Sequence, residues 1–486
     1  VTEVLINFYI PKQMTLQVCC FVKYDSTMKH IFLSIALSGI VLPVCAQTTN
    51  AGTGAEGEDT SSGIEFIKTA DHKDVEDILE QDRPGEVSAI PVPHFAIRTV
   101  DNKFVMTIGG QINPIIGTDF GNDLYEVDGA GIGFVTGMIP VPSVNGKRSD
   151  FYINPLNANI DFQVVGFGGT KNQVTGYLKF GTNGESTAIK LKKAYVAWMG
   201  ITAGLKSTLF EDGEAASPPT IDPQGPSGMI STSSYEISYI SPSFHGFRFA
   251  IGMDIPTYYS SNGVYRGHDF KTWREEEIEG KPVADPEAYN QNIPDIPMWV
   301  EYTASDYNRI RFSGIIRNFS YRDMLEGKRR NSVGWGLMLS GNLNPVEPLI
   351  LYVQAAYGKG IGNYLQDIAG QPLSFIPEDS QPGHMTPSPM MGVSLGATYN
   401  IGKKWQVNAV VSESRIWSVG PYAIAAAVSP DNINNYRYGF YAAGNVFYNI
   451  SSYLQVGMEY LYGRRGTWNA GTAHDNRLQM QFMFTL

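Results

Sequence analysis

RLQMQFMFTL, residues 477–486, closes the chain on a strict alternation: Leu478, Met480, Phe482, Phe484 and Leu486 share one parity, and Arg477, Gln479, Gln481, Met483 and Thr485 the other. A strand turns successive side chains to opposite faces, so this segment predicts a strand with one greasy face and one largely polar face. Residues 157–164 repeat the pattern, with Asn157, Asn159, Asp161 and Gln163 set against Ala158, Ile160, Phe162 and Val164. A soluble sandwich also alternates, so the number of such strands and the way they are joined must decide. Sixteen segments alternate: 103–116, 156–167, 173–180, 189–199, 201–209, 234–241, 247–255, 297–306, 309–321, 332–342, 349–358, 390–400, 405–417, 436–449, 453–463 and 476–486. Their connections switch between long or intermediate stretches (117–155, 210–233, 256–296, 359–389) and tight turns (305–308, 400–404, 449–452). An even count with long loops on one side and short turns on the other predicts an all-β fold, a closed antiparallel transmembrane barrel of the outer-membrane type.

Composition agrees with a wall that is apolar outside and wet inside. Of 486 residues only 17% are charged, against about 25% in soluble proteins, yet 43% are hydrophobic. A mean hydropathy of -0.15 excludes a bundle of membrane helices. The 51 glycines, 27 tyrosines and 24 phenylalanines fill the difference. Tyr436, Tyr438, Phe440, Val446 and Tyr448 share a parity, as do Leu454, Val456, Met458, Tyr460 and Tyr462, with aromatics gathered near segment ends. That placement matches aromatic girdles at the two headgroup levels.

The beginning of the chain is organised differently. Met28, Lys29 and His30 open a basic start, residues 31–44 are an apolar run, and Val44-Cys45-Ala46 precedes Gln47. This is the pattern of a secretory signal peptide, too short for a spanning helix of about 20 residues. The expected organisation is therefore an upstream segment 1–27 ahead of the true start, a signal peptide 28–46, a periplasmic extension 47–102, and the barrel 103–486. Within the extension, 48–63 is rich in Gly, Thr and Ser, and DHKDVEDILEQ at 71–81 predicts about three helical turns. Cys19, Cys20 and Cys45 all precede the expected cut, so the mature chain has no thiol for a disulfide, a metal or a nucleophile. It keeps 33 basic and 45 acidic residues, a net charge of -12, which argues against nucleic acid as a partner.

The connection after the fifth segment, FEDGEAASPPTIDPQGP at 210–226, carries Pro218, Pro219, Pro223 and Pro226. Four prolines make it stiff and exclude a strand. A stiff loop after strand five is expected to fold inward and narrow the lumen. Together with KKAYVAW at 192–198 and GLKSTLF at 204–210, this stretch resembles the DcaP-like outer-membrane porins. The resemblance implies a homotrimer of sixteen-stranded barrels that passes small hydrophilic, often anionic, solutes by diffusion. Outer-membrane lipid and lipopolysaccharide are then the surroundings, and no cofactor is expected.

Candidate pore residues follow from parity. A turn near Gly200 sets Lys192 opposite Thr208 and Ala194 opposite Lys206. With Ile189, Leu191 and Tyr195 taken as lipid-facing, Lys190, Lys192 and Lys206 point into the lumen, opposite Glu211, Asp212 and Glu214 of the loop, with Asp222 further along it. A basic wall facing acidic loop residues would create a transverse field that orients dipolar solutes. Lys193 breaks the pattern, and a bulge there would reverse one half of the strand. Arg248, Arg311 and Arg317 also fall on lumenal parities, where the simplest role of a charge is to keep the lumen wet.

Signals for chemistry are poor. Gly392 to Gly396 matches G-x-S-x-G, but inside a strand and not at a strand-to-helix elbow. The seven histidines are scattered without metal spacing, and the acidic run Asp119, Asp123, Glu126, Asp128 fits a solvated surface better than a Ca²⁺ site. A barrel lipase or protease would need a Ser-His or Asp-His constellation. An adhesive barrel would rest on the long loops 256–296 and 359–389. Residues 47–102 are too few for the globular plug of an active transporter, and 384 residues too few for 22 strands.

Overall fold

A computed structural model of the chain describes residues 20–21, 34–35, 64–80, 93–122, 124, 132–141, 151–182, 187–215, 217–257, 293–305, 307–323, 328–368, 373–377, 384–417, 436–468 and 471–486. The upstream segment and the expected signal peptide lie, those four residues apart, outside the described residues. All sixteen expected segments are wall strands. The first runs as Phe104–Ile112 and Ile115–Asp119, the second as Phe151–Asn154 and Ala158–Gly166. Then follow Val174–Gly181, Lys190–Trp198, Ile201–Ser207, Ser233–Ile240, Phe247–Pro256, Ile296–Ser305, Asn308–Asp323, Lys328–Val346, Leu349–Lys359, Pro389–Ile401, Trp405–Ile416, Tyr436–Asn449, Leu454–Thr467 and Thr472–Thr485. Pro114 and Pro155, which cannot donate to a ladder, fall in the two interruptions. Strand sixteen pairs with strand one, Arg477 opposite Asp119 and Phe484 opposite Ile112, and the barrel is closed.

The register fixes the width of the barrel. Following paired residues round the wall from Phe104, through Trp198, Met298 and Tyr438 to Thr472, and extending the register that sets Arg477 opposite Asp119, gives a stagger of twenty residues on closing the circuit. With 16 strands this stagger tilts them by about 40° and gives a wall radius of about 16 Å. Side chains alone do not fill such a lumen.

Two sequence expectations are corrected by backbone detail. Met199 and Gly200 both have positive φ, 51° and 81°, the two-residue turn whose twist suits a hairpin. The turn sets Trp198 opposite Ile201 and Ala194 opposite Leu205, one residue away from the expected pairing. The strand-four register against strand three also slips between Leu191 and Lys193, a bulge that reverses parity there. Tyr195 therefore faces the interior, stacked on Tyr177 at 5.2 Å, while Val196 and Trp198 face outward. A second slip, between Tyr436 and Tyr438, turns Tyr436 inward and leaves Tyr438 on the outer girdle.

The described part of the extension is not separate from the wall. Phe95–Thr99 pairs with the lower edge of strand one, Ala96 opposite Thr107 and Arg98 opposite Val105, and Ile64–Lys68 pairs with Phe95–Thr99 in turn. Strand sixteen covers the same edge only higher up, where the Leu486 N–H donates to the Gly110 carbonyl at 2.9 Å. Between the two added strands, helix Lys73–Glu80 packs Val75, Ile78 and Leu79 on Ile67, Ala96, Val105 and Val165. Its last carbonyls lack helical partners, as at every helix end. The side-chain amides of Gln163 and Gln173 donate to two of them, Leu79 at 2.8 Å and Ile78 at 3.0 Å.

Candidate functional site

The proline-rich connection lies inside the barrel and follows the inner wall. It leaves strand five at Thr208, whose hydroxyl donates to Asp254, and the Leu209 N–H donates to Glu236 at 2.7 Å. Asp212 then reaches Arg309 and accepts from the Ser340 hydroxyl at 2.5 Å, while Glu214 pairs with Arg309 Nε at 3.1 Å. Pro218 lies against Gly396, where an added Cβ would sit 2.3 Å from the ring. The Ile221 and Asp222 N–H groups both donate to Glu459, at 3.0 and 2.8 Å. The return leg is tied by Ser227 to the Gly439 carbonyl, by the Gly228 N–H to Ser412, and by the Ile230 N–H to Gln354. Its ties thus land on wall strands from the sixth round to the fifteenth.

Two further inward segments lock onto it. Asp222 accepts from the N–H of Phe134 at 2.9 Å and from the Tyr441 hydroxyl at 3.1 Å. Asp367 accepts from the Thr136 hydroxyl, the Gly137 N–H and the Tyr436 hydroxyl. Tyr364 is buried against Phe210, and its hydroxyl lies 2.8 Å from Asp254 and 2.7 Å from Asp295. The main apolar cluster gathers residues from these segments, Phe210, Ile230, Ile361 and Leu365 among them, so the interior packs like a core on one side of the barrel.

The expected pore residues fall into distinct environments. Arg248, Arg309 and Arg311 converge on Glu301, with Arg311 Nη2 at 2.6 Å and Arg248 Nη2 at 2.5 Å. The Arg311 guanidinium lies 4.4 Å over the Trp299 ring. Together with Asp212 and Glu214 this makes three guanidiniums against three carboxylates, a neutral network at the root of the loop. Burial opposes ionisation of Asp212, but the Arg311 and Arg309 guanidiniums outweigh it and hold its carboxyl below the usual carboxylate range. Arg317 is buried on Asp295 at 2.8 Å. The Glu211 carboxylate accepts from the Thr232 N–H, bracing the two ends of the loop.

The expected lysine cluster is not assembled. Lys206 points inward, but its ammonium pairs with Glu236 of the next strand at 2.6 Å, both side chains buried. Lys190 and Lys192 remain on strand four, exposed and half-buried, without a carboxylate partner among the described residues. Asp212 and Glu214 are taken up by Arg309 and do not oppose the lysines. Arg309, Glu301, Glu236 and Glu459 escaped the sequence analysis. Arg309 stands on the strand-nine parity used for Arg311, and Glu301 lies directly opposite Arg248 and Arg311, the signal that would have found these two. Asp119 pairs with Arg477 on both carboxylate oxygens, while positions 123, 126 and 128 lie outside the described residues. Ser394 sits mid-strand opposite Gln354 and Ser412.

A closed sixteen-stranded barrel with a loop after strand five folded along its inner wall has the fold of an outer-membrane porin. The outer membrane channel DcaP of Acinetobacter baumannii is similar at a TM-score of 0.61, with 14% identity over 79% of this chain and 97% of that one. The resemblance to DcaP-like porins holds at the level of the fold. OmpT of Vibrio cholerae matches at a TM-score of 0.46 with 10% identity, covering 79% of this chain and 98% of its own. An anion-selective porin from Comamonas acidovorans matches at 0.43 with 12% identity, covering 79% and 100%. No protein-family profile matches the chain, and no curated protein does.

Proposed function

We propose that the chain is an outer-membrane porin, a passive channel for small hydrophilic solutes whose lumen is narrowed by the 208–232 loop. The observation that carries the reading is that loop itself. A barrel of about 16 Å radius would pass almost any metabolite unfiltered, and here an inward segment is tied to the wall by buried ion pairs. Those ties leave strands three and four uncovered, so the solute path runs along their inner faces, past Lys190 and Lys192. Unpaired ammonium groups beside a narrow path act on every ion that passes, whereas exposed carboxylates elsewhere are screened within about 8 Å. The channel therefore prefers anions, modestly, despite the acidic chain. It works as a trimer, joined through the rim of strands one to four, where Phe120, Phe151, Ile153, Ile189 and Leu191 are exposed and apolar.

The test is conductance across a planar bilayer with a KCl gradient. Stepwise opening with a zero-current potential of anion-preferring sign is expected, shifted clearly toward K⁺ in the Lys190→Glu/Lys192→Glu variant. Absence of conductance in properly inserted protein defeats the channel reading. An unchanged potential in the variant defeats only the assignment of the lysines.

A further inference from the structure

The solute path along strands three and four meets opposite charges at its two ends. At the loop end of strand four stand Lys190 and Lys192, and the slip at Leu191/Lys193 also sets Lys193 on the lumenal parity, opposite Lys179. Asp161 lies opposite Lys179 in turn. At the tight-turn end lies the helix Lys73–Glu80, whose last turn is held by Gln173 at the foot of strand three. Its residues Val75, Ile78 and Leu79 rest on the inward Val105 and Val165, so the opposite face of the helix looks into the lumen. At about 3.6 residues per turn that face holds Lys73, Glu76, Asp77 and Glu80, three carboxylates to one ammonium. Lys73 and Asp77 are exposed, Glu76 and Glu80 half-buried. The neighbouring guanidinium, Arg98, serves Glu65 at 3.2 Å and Asp74 at 3.3 Å instead. Val165 shares a register row with Thr175 and Ala197. Strand four climbs from Ala197 to Lys192 by about 16 Å.

We propose that Lys190 and Lys192 at one end and the docked helix carboxylates Glu76 and Asp77 at the other make the channel a rectifier, which carries more current when the helix side is positive. The inference rests on the channel reading above. Lysines admit anions readily, and carboxylates admit cations. With the helix side positive, the field drives cations in past the helix and anions in past the lysines. Each ion then enters at the end that attracts it, and both accumulate in the path. Reversing the field makes each enter at the end that repels it, and the path is depleted of carriers. The two ends lie further apart than the screening length of about 8 Å, so they act as separate zones and do not cancel. The helix carboxylates also oppose the lysines in overall selectivity, which keeps the anion preference modest.

Single channels of the full chain are recorded in a planar bilayer at equal and opposite voltages. A Lys403→Cys marker in an exposed tight turn, labelled from one compartment with a membrane-impermeant maleimide, shows which compartment the helix faces. The current with the helix side positive is expected to exceed the reverse current about twofold in about 0.1 M KCl, and the ratio to fall close to unity in about 1 M KCl, where the screening length is only about 3 Å. Glu76→Gln/Asp77→Asn should remove most of the asymmetry and move the zero-current potential further toward Cl⁻. Lys190→Glu/Lys192→Glu should remove it too, while moving that potential toward K⁺. Symmetric wild-type current at low salt overturns the proposal, as does an asymmetry of opposite sign or one that persists at high salt, and these comparisons need no charge variant to fold. A carboxamide variant that keeps the wild-type ratio also overturns it. A failed channel gives no current and a failed rectifier gives a symmetric one, so the two are told apart.

Discussion

Arg309 is satisfied from three sides, by Asp212 and Glu214 of the loop and by Glu301 of the wall. Removing it leaves buried carboxylates facing one another with Arg311 and Arg248 to serve them, and breaking a buried pair costs about 3–5 kcal/mol. Arg309→Met is expected to lower the denaturant midpoint and to raise open-channel conductance as the loop root comes free. An unaltered conductance would mean that the loop is held by its other ties. Lys is not a substitute, since one point charge does not serve three carboxylates at three angles. Asp212 adds a pH dependence of definite sign. Its carboxyl titrates lower in the folded state than in the unfolded chain, so its stabilisation is full above the ordinary carboxylate range and is lost as pH falls through the folded value. Conductance noise should therefore rise in acid, below about pH 4. Asp212→Asn should be noisy already at neutral pH and lose that acid step. The acidic residues of this loop were legible as candidates in the sequence, but their partners were not, because ion pairing joins strands eight to ten to a loop a hundred positions away.

At the scale of elements, the helix at Lys73–Glu80 has a contact prepared for it. Val105 and Val165 stand opposite each other on the lumenal parity of strands one and two, and both are fully buried. Valines facing a wet lumen would be a cost, and the helix removes it by covering them with Val75, Ile78 and Leu79, each worth about 1.5–3 kcal/mol on burial. Val75→Asp/Ile78→Asp is expected to undock the helix while leaving the barrel heat-resistant. Limited proteolysis should then cut between residues 69 and 93 in the variant and not in the wild type. Equal protection in both would show that the hairpin pairing alone holds this segment. The helix itself was readable from residues 71–81. Its seat was not, since inward valines look like any other alternating pair until the neighbour that covers them is known.

For the whole molecule, the apolar rim of strands one to four makes a prediction about assembly. Phe151→Gln/Ile153→Glu places polar groups on the apolar rim near the interface, where the cost of insertion is about 0–1 kcal/mol, so the barrel should still form. The wild type is expected to give three chains by mass in mild detergent and to shift on a gel when boiled. The variant is expected to give one chain and to keep the heat shift. Three chains from the variant would place the subunit contact elsewhere.

The sequence by itself determined the wall. Alternation with period two is a local property of the strand, so the sixteen segments, their order and their closure at 477–486 could be read one at a time. The inward loop was likewise announced by four prolines that no strand tolerates. Only the tertiary structure decided which side chains meet. A single bulge, at Leu191/Lys193 or Tyr436/Tyr438, reverses the facing of the residues beyond it, and a two-residue turn moves a whole register by one. Lys206 pairs with Glu236 of the next strand instead of the acidic loop. Parity is an alternation along one strand, whereas pairing depends on the sum of every slip between strands, and that sum exists only once the barrel has closed.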